Sequence, residues 1–188
     1  MDLVEEVVPV GDGELAVLRP RQADALIDEY AFGEAEFLPY WAELWPSGVA
    51  LAKMIARRAL KGARVLELGC GLGLPSIAAA RAGGRVLAVD WAPEAIELLA
   101  TNAARNGARL ETAVVSWTAP APLLARAPFD LVLAADVLYE QRNVTALADL
   151  LPRLGGEVLL ADPGRPPLDG FLERFGPVWA RPPVYRLR

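Results

Sequence analysis

Arg64-Val-Leu-Glu-Leu-Gly-Cys-Gly-Leu-Gly-Leu-Pro-Ser-Ile-Ala-Ala-Ala-Arg-Ala-Gly-Gly-Arg-Val-Leu-Ala-Val-Asp-Trp91 is the stretch on which the fold turns. Arg64–Leu68 reads as a short apolar strand, and Gly69, Gly71 and Gly73 follow it as a turn. A helix is expected from about Leu74 to Arg81, stopped by Gly83-Gly84. Arg85–Val89 is a second strand and ends in Asp90. The unit is a β-turn-α-β with an acid, Glu67 or Asp90, at the tip of each strand. Ligands of open α/β sheets sit at the carboxyl ends of the strands, so both acids stand where a ligand is expected.

Two kinds of cofactor use this geometry. A dinucleotide site needs G-x-G-x-x-G, so that a helix N-terminus takes the pyrophosphate. Here the spacing is G-x-G-x-G, and Leu74-Pro75 follow where the third glycine is required. Glu67, just before the turn, would also repel phosphate. A cofactor with a cationic end and no phosphate matches better. S-adenosylmethionine has an ammonium and a sulfonium at one end and a ribose at the other. Glycine lets the backbone approach its methionine part, and Asp90 is placed to accept from the ribose hydroxyls. A nicotinamide cofactor, or a turn that is only structural, stays open at this point.

The composition narrows the chemistry. A chain of 188 residues suggests one domain, and its 54% hydrophobic content suits an α/β domain with a buried parallel sheet. The lone cysteine, Cys70, forms no internal disulfide and suits a reducing cytoplasm. There is no histidine, which removes the commonest general base and metal ligand. A His/Cys metal site and a Ser-His or Cys-His nucleophile are excluded with it. We expect no metal. The start, Met-Asp-Leu-Val-Glu-Glu, leads us to expect no signal peptide, and no run approaches the ~18–20 apolar residues of a membrane span. The net charge of −5 disfavours broad nucleic-acid binding.

Outward from the central unit, Leu3–Val10 and Glu14–Leu18 flank Gly11-Asp12-Gly13 as a β-hairpin, and Gln22–Tyr30 reads as a short helix. Residues 1–40 thus form an N-terminal extension, over the sheet edge or the site, or as a structural cap. Residues 41–188 form the main domain. Ser47–Leu60 is a helix with Pro46 at or near its first turn. Pro93 opens another that runs to about Arg105, ended by Asn106-Gly107. Leu110–Val115 is the third strand, and Phe129–Ala135 the fourth. The fourth is near-continuously apolar and so central. Asn143–Leu154 is a helix, Glu157–Ala161 the fifth strand and Leu168–Phe175 a short helix. Val178–Ala180 and Val184–Leu187 close the chain as an antiparallel pair of strands.

Glu67-Leu-Gly-Cys-Gly-Leu-Gly-Leu-Pro75 resembles motif I of the class I, seven-β-strand methyltransferases. The chain is most similar to the branch of protein-lysine methyltransferases that includes the enzyme acting on the electron-transfer-flavoprotein β subunit and its bacterial relatives. Pro39-Tyr-Trp-Ala-Glu-Leu-Trp-Pro-Ser-Gly48, Asp136-Val-Leu-Tyr139 and the loop Asp162-Pro-Gly-Arg-Pro-Pro167 carry the same resemblance. It implies a Rossmann-like three-layer sandwich, a mostly parallel seven-stranded sheet with helices on both faces. It also implies that Trp41 and Trp45 lie by the cofactor, where an aromatic face attracts a sulfonium. The alternative is that both only pack the helix onto the sheet. Trp91 and Trp117 would wall the adenine. Ser116 replaces the acid that often takes the adenine amino group, which leaves that contact to Ser116 or to backbone.

The resemblance implies methyl transfer from S-adenosylmethionine, with S-adenosylhomocysteine as product, to a lysine amine of a protein. Glu67, Gly69, Gly71, Gly73, Asp90 and Asp136 would hold the cofactor. Asp136 and Tyr139 would position the amine. Simpler readings are a helix cap at Asp136 and core packing at Tyr139. Val137-Leu138 departs from the Pro-Pro of enzymes that methylate adenine, against nucleic acid as acceptor. Three other functions compete. One is a transferase acting on a small amine or ring nitrogen. Another is a cofactor-binding partner protein without activity. The third is a nicotinamide oxidoreductase. A monomer is the expected state.

Overall fold

The computed structural model describes residues 1–23 and 39–187. The expected helix Gln22–Tyr30 falls almost wholly outside them. The chain opens as an antiparallel hairpin, β1 (Leu3–Val10) and β2 (Gly13–Pro20), with Val10 opposite Gly13. A 3-10 turn at Tyr40–Ala42 leads into α1 (Pro46–Ile55). The central unit follows as β3 (Arg64–Leu68), α2 (Leu74–Arg81) and β4 (Arg85–Asp90). Next come α3 (Pro93–Arg105), β5 (Glu111–Val114), α4 (Ala121–Leu124) and β6 (Leu131–Ala135). The chain ends with α5 (Gln141–Leu150), β7 (Glu157–Ala161), α6 (Leu168–Phe175), β8 (Trp179–Arg181) and β9 (Val184–Leu187).

One seven-stranded sheet runs in the order β5-β4-β3-β6-β7-β9-β8. Its first five strands are parallel, and β9 and β8 are the antiparallel pair expected. The order reverses at β3, whose two neighbours are β4 and β6. That is the switch point at which the carboxyl ends of an α/β sheet leave a crevice.

Strand alternation builds two cores, because successive side chains point to opposite faces. Val65, Ala88, Leu133 and Leu159 face one helical layer, formed with α1, α2 and α3. Leu66, Leu68, Val132 and Leu160 face the other, formed with α5 and α6. In α2 nearly every residue is buried, which explains its weak amphipathic pattern: it is covered on more than one side. In α1 the buried Leu51 and Ile55 are spaced one turn apart, and each such side chain contributes about 1.5–3 kcal/mol by burial.

The hairpin does not sit on the edge of the large sheet. It packs on α1 and α3, and Val8, Val10, Leu15 and Val17 join the core of that face. Asn102 on α3 accepts from the Leu18 backbone N–H (2.8 Å) and donates to the Leu18 carbonyl (3.1 Å). Asn106 treats Ala16 in the same way (3.0 and 2.8 Å). Helix side chains thus serve backbone groups that a neighbouring strand would otherwise take.

Two helices are shorter than their sequence pattern suggests. After Ile55 the bonds tighten to Arg57 N–H to Met54 C=O and Arg58 N–H to Ile55 C=O, and Arg58 swings to Glu157 at 2.6 Å. The expected continuation to Leu60 is lost. In α5 the last turn becomes a 3-10 turn, Leu151–Arg153, at Pro152, which has no N–H for the α ladder. Among the described residues no helix is long and apolar enough to cross a membrane.

Candidate active site

The carboxyl ends of β3, β4 and β6 open into one cavity, roofed by the Tyr40–Ala42 turn and the start of α1. Trp41, Trp45, Glu67, Gly69, Gly71, Gly73, Asp90, Trp91, Trp117, Asp136 and Tyr139 all line it. Of the residues expected from sequence, only Ser116 is not among them. Its hydroxyl bonds to Thr118 at 2.8 Å on the exposed surface. The strand ends at Val114 and the chain turns there, so Ser116 points away while Trp117 turns back to the wall.

The glycine loop is shaped by close approach. Gly71 has φ 48°, and a Cβ on it would stand 3.1 Å from the Trp41 carbonyl oxygen. Gly73 has φ 85°, and its Cβ would fall 1.8 Å from Leu99 Cδ1. Only glycine takes both the left-handed backbone and the missing volume. The Gly73 requirement comes from α3, whose Leu99 fills the space; the expectation of ligand approach alone did not include this.

Asp90 ties that loop down. Its Oδ2 accepts from the Gly71 N–H at 2.9 Å and its Oδ1 from the Ala92 N–H at 3.1 Å. Burial pushes its carboxyl pKa up, against these backbone bonds, which lower it. Glu67 is 1% exposed and accepts from the Ser76 hydroxyl of α2. Burial raises its pKa to about 8, opposed by the Ser76 bonds and assisted by the nearby charge of Asp90. The same burial lifts the Cys70 thiol well above its ordinary value, so it stays protonated and unreactive.

Asp136 ends β6 with φ 56°, the one non-glycine positive φ among the described residues. Such a residue is held there by its surroundings, often at a functional site. It does not cap the next helix, because α5 has Glu140 at its N-cap. Its Oδ1 accepts from Arg165 Nη2 at 3.0 Å, while its buried Oδ2 has no donor among the described residues. Tyr139 packs against Tyr40 with ring centroids 4.7 Å apart, and Tyr40 lies 6.2 Å from Trp45. The Trp45 indole donates to the Tyr40 carbonyl at 2.7 Å. Burial raises the Tyr139 pKa to about 12, so it stays a neutral phenol. Trp41 is 9% exposed and packs in the core, and it also lines the cavity.

Sequence reading missed Tyr40, Glu43 and Arg165, which also line the cavity. Tyr40 and Glu43 lie within the Pro39–Gly48 stretch beside two residues that were singled out. Arg165 lies in the loop after the fifth strand, at the same edge of the sheet. Its signals were that position and the resemblance carried by the loop Asp162-Pro-Gly-Arg-Pro-Pro167.

Fold and site define a class I methyltransferase architecture. Residues 40–160 match the family model described as lysine methyltransferase, and the chain belongs to that family. It is 36% identical over 136 residues to the electron transfer flavoprotein beta subunit lysine methyltransferase of Xenopus laevis, covering 68% of this chain and 53% of the relative. It is 29% identical over 145 residues to the histone-arginine methyltransferase METTL23 of Mus musculus, covering 74% and 53%. The chain spans about half the length of the curated relatives it matches. A 16S rRNA methyltransferase of T. Thermophilus, solved with AdoMet and guanosine, has the same fold with a TM-score of 0.71 at 16% identity, covering 100% of this chain and 50% of that one. A ribosomal-protein methylase of Lactobacillus delbrueckii gives 0.55 at 25% identity, covering 73% and 74%.

Proposed function

We propose that this chain transfers a methyl group from S-adenosylmethionine to the side-chain amine of a lysine in a protein. One observation carries the reading. The described lining of the cavity holds four carboxyl groups, Glu43, Glu67, Asp90 and Asp136, of which Glu67 carries a proton in the ligand-free protein, and one cation, Arg165, around a glycine loop. That balance suits a ligand with cationic groups and opposes a pyrophosphate. The fit extends along the cavity. Glu67 and the glycine loop would hold the methionine end, Asp90 the ribose, and Trp91 and Trp117 the adenine. Asp136 and Tyr139, with Tyr40 and Trp45, would form the acceptor side. When bound, S-adenosylmethionine supplies an electrophilic methyl: the N–C bond forms as C–S breaks, and sulfur keeps the electron pair. The chain's own work is to place the amine on that axis and to exclude water.

Lysine rather than a small amine is favoured by the family and by its relatives' protein substrates. Incubating the protein with methyl-labelled S-adenosylmethionine and host extract tests the choice. We expect label in a protein band, stable to hydrolysis as N-methyl-lysine. Label confined to small molecules or to nucleic acid would refute the lysine reading. In calorimetry S-adenosylmethionine and S-adenosylhomocysteine should bind, and nicotinamide dinucleotides should not. Dinucleotide binding alone would end the transferase reading.

Asp90→Ala should weaken cofactor binding by roughly 1.5–3 kcal/mol, the scale of hydrogen bonds to a charged group. The structure adds a second source of loss, because Asp90 also anchors the Gly71 N–H. Asp90→Asn keeps an oxygen for that anchor and removes the charge. It should therefore cost less than Asp90→Ala while the melting temperature stays nearer the parent's. Unchanged affinity in both variants would take Asp90 out of the cofactor site.

A further inference from the structure

Arg165 is the one cation among the described lining residues, and the reading above gives it no task. The turn after β7 fixes it. Asp162 is fully buried, and its Oδ1 accepts from the backbone N–H groups of Gly164 (2.8 Å) and Arg165 (2.7 Å). The Arg165 side chain donates to Asp136 Oδ1, stands 4.0 Å from Asp162 Oδ2 through Nε, and lies 5.6 Å from the centre of the Trp45 ring. Asp136 lines the cavity and is 5% exposed, and its Oδ2 is buried without a donor among the described residues. One carboxylate oxygen is therefore held by a built-in cation, and the other is buried with no partner among the described residues.

We infer that Arg165 is a positioning residue that makes the acceptor site take its amine in the neutral form. The inference rests on the methyltransferase reading. A lysine ammonium, with an ordinary pKa of ~10.4, has no lone pair to give. Two buried carboxylates, Asp136 and Asp162, would by themselves hold that ammonium and keep its proton on. The guanidinium offsets one of these charges and repels a second cation beside it. A neutral amine keeps an N–H for an acceptor on the cavity wall, and its lone pair stays free for the methyl. The proton leaves to water before attack, so no histidine is required. The nitrogen then gains the methyl, and the thioether leaves with the pair from the broken C–S bond.

No other described side chain on the cavity supplies a cation. Glu67 and Asp90 stand at the ends of β3 and β4, Glu43 at the rim, and the Cys70 thiol and the Tyr40 and Tyr139 phenols complete the titratable set. Beyond Tyr139, Glu140 and Arg142 pair with each other.

The test uses ¹³C-labelled butylamine, the chemical tip of a lysine side chain, with protein saturated in S-adenosylhomocysteine. NMR follows the bound amine from about pH 7 to about pH 11, the range around the lysine value. In the parent protein the bound amine should titrate no higher than free butylamine. In Arg165→Gln it should titrate about one pH unit or more higher, the scale of a unit charge a few ångströms away at the edge of a protein. Arg165→Lys should keep most of the parent's low value. If Arg165→Gln fails to fold, the parent and Arg165→Lys titrations decide. A bound amine titrating above the free one in the parent overturns the inference. So does a titration that Arg165→Gln leaves unmoved, or butylamine that does not bind to the loaded protein. Failure of the parent to bind S-adenosylhomocysteine strikes the methyltransferase reading instead, and the two failures are thereby told apart.

Discussion

Asp136→Ala is expected to lower methyl-transfer turnover by about a hundredfold or more, with a much smaller effect on cofactor affinity. Misplacing a reacting group by ~1 Å is enough for a loss of that size. The residue follows β6 at the cavity wall, its Oδ1 bonded to Arg165 and its buried Oδ2 without a partner among the described residues. A loss confined to turnover marks an interaction made with the acceptor and not with the cofactor. The backbone complicates alanine here. At φ 56° a residue with a Cβ pays roughly 1–2 kcal/mol, which asparagine and aspartate reduce by local hydrogen bonding. Asp136→Asn is therefore the cleaner variant: it keeps the turn and removes only the charge. It should lose nearly as much turnover as Asp136→Ala with a smaller drop in melting temperature. Tyr139→Phe should cost less than either, because the ring stays packed on Tyr40 and only the hydroxyl, bonded to Asn143, is lost. A folded Asp136→Asn protein with parent turnover would remove the carboxylate from the mechanism.

The sheet was legible because its strands are short apolar runs that end at acids or glycines. Arg64–Leu68 and Glu157–Ala161 appear with the expected bounds, and so do α2, α3 and α6. The errors fall at helix ends and in the loops between elements. Nothing in Ala56–Leu60 forbids helix, yet the last turn tightens there and Arg58 pairs with Glu157, far along the chain. The cavity was legible wherever a residue stood at a strand tip or beside the glycine turn. Ser116 lies off the cavity lining because the strand ends at Val114 and its hydroxyl bonds to Thr118. Arg165 was missed for a related reason. A loop arginine says nothing of itself until Asp162 folds the turn and Asp136 receives the guanidinium. The simple cap reading of Asp136 fell to a similar detail, the four residues between it and the start of α5 at Gln141.

Cofactor affinity should rise steeply with pH below about pH 8, and Glu67 is the cause. In the ligand-free protein, burial holds its pKa at about 8 against an ordinary value of 4.5. Between those values the folded protein carries a proton that the unfolded chain has lost. The stability this contributes is fully present below about pH 4.5, falls through the window, and is gone above about pH 8. A cofactor ammonium at Glu67 requires the carboxylate, so binding must expel that proton. The expected dependence is about tenfold in affinity per pH unit on the acid side, since one unit corresponds to 1.36 kcal/mol. An α-amino group itself loses its proton near ~7.7–8.0, so affinity should peak near that pH and fall beyond it. Calorimetry at about pH 6.5, repeated in buffers of different ionisation enthalpy, should show close to one proton released per S-adenosylmethionine bound. Glu67→Gln should abolish the release and flatten the acid limb. It should also remove the fall in ligand-free stability with rising pH, because Gln stays neutral and can still pair with Ser76. A parent protein that binds the cofactor with no proton release across the acid limb would show that Glu67 keeps its proton. The ammonium would then have to be held by another group.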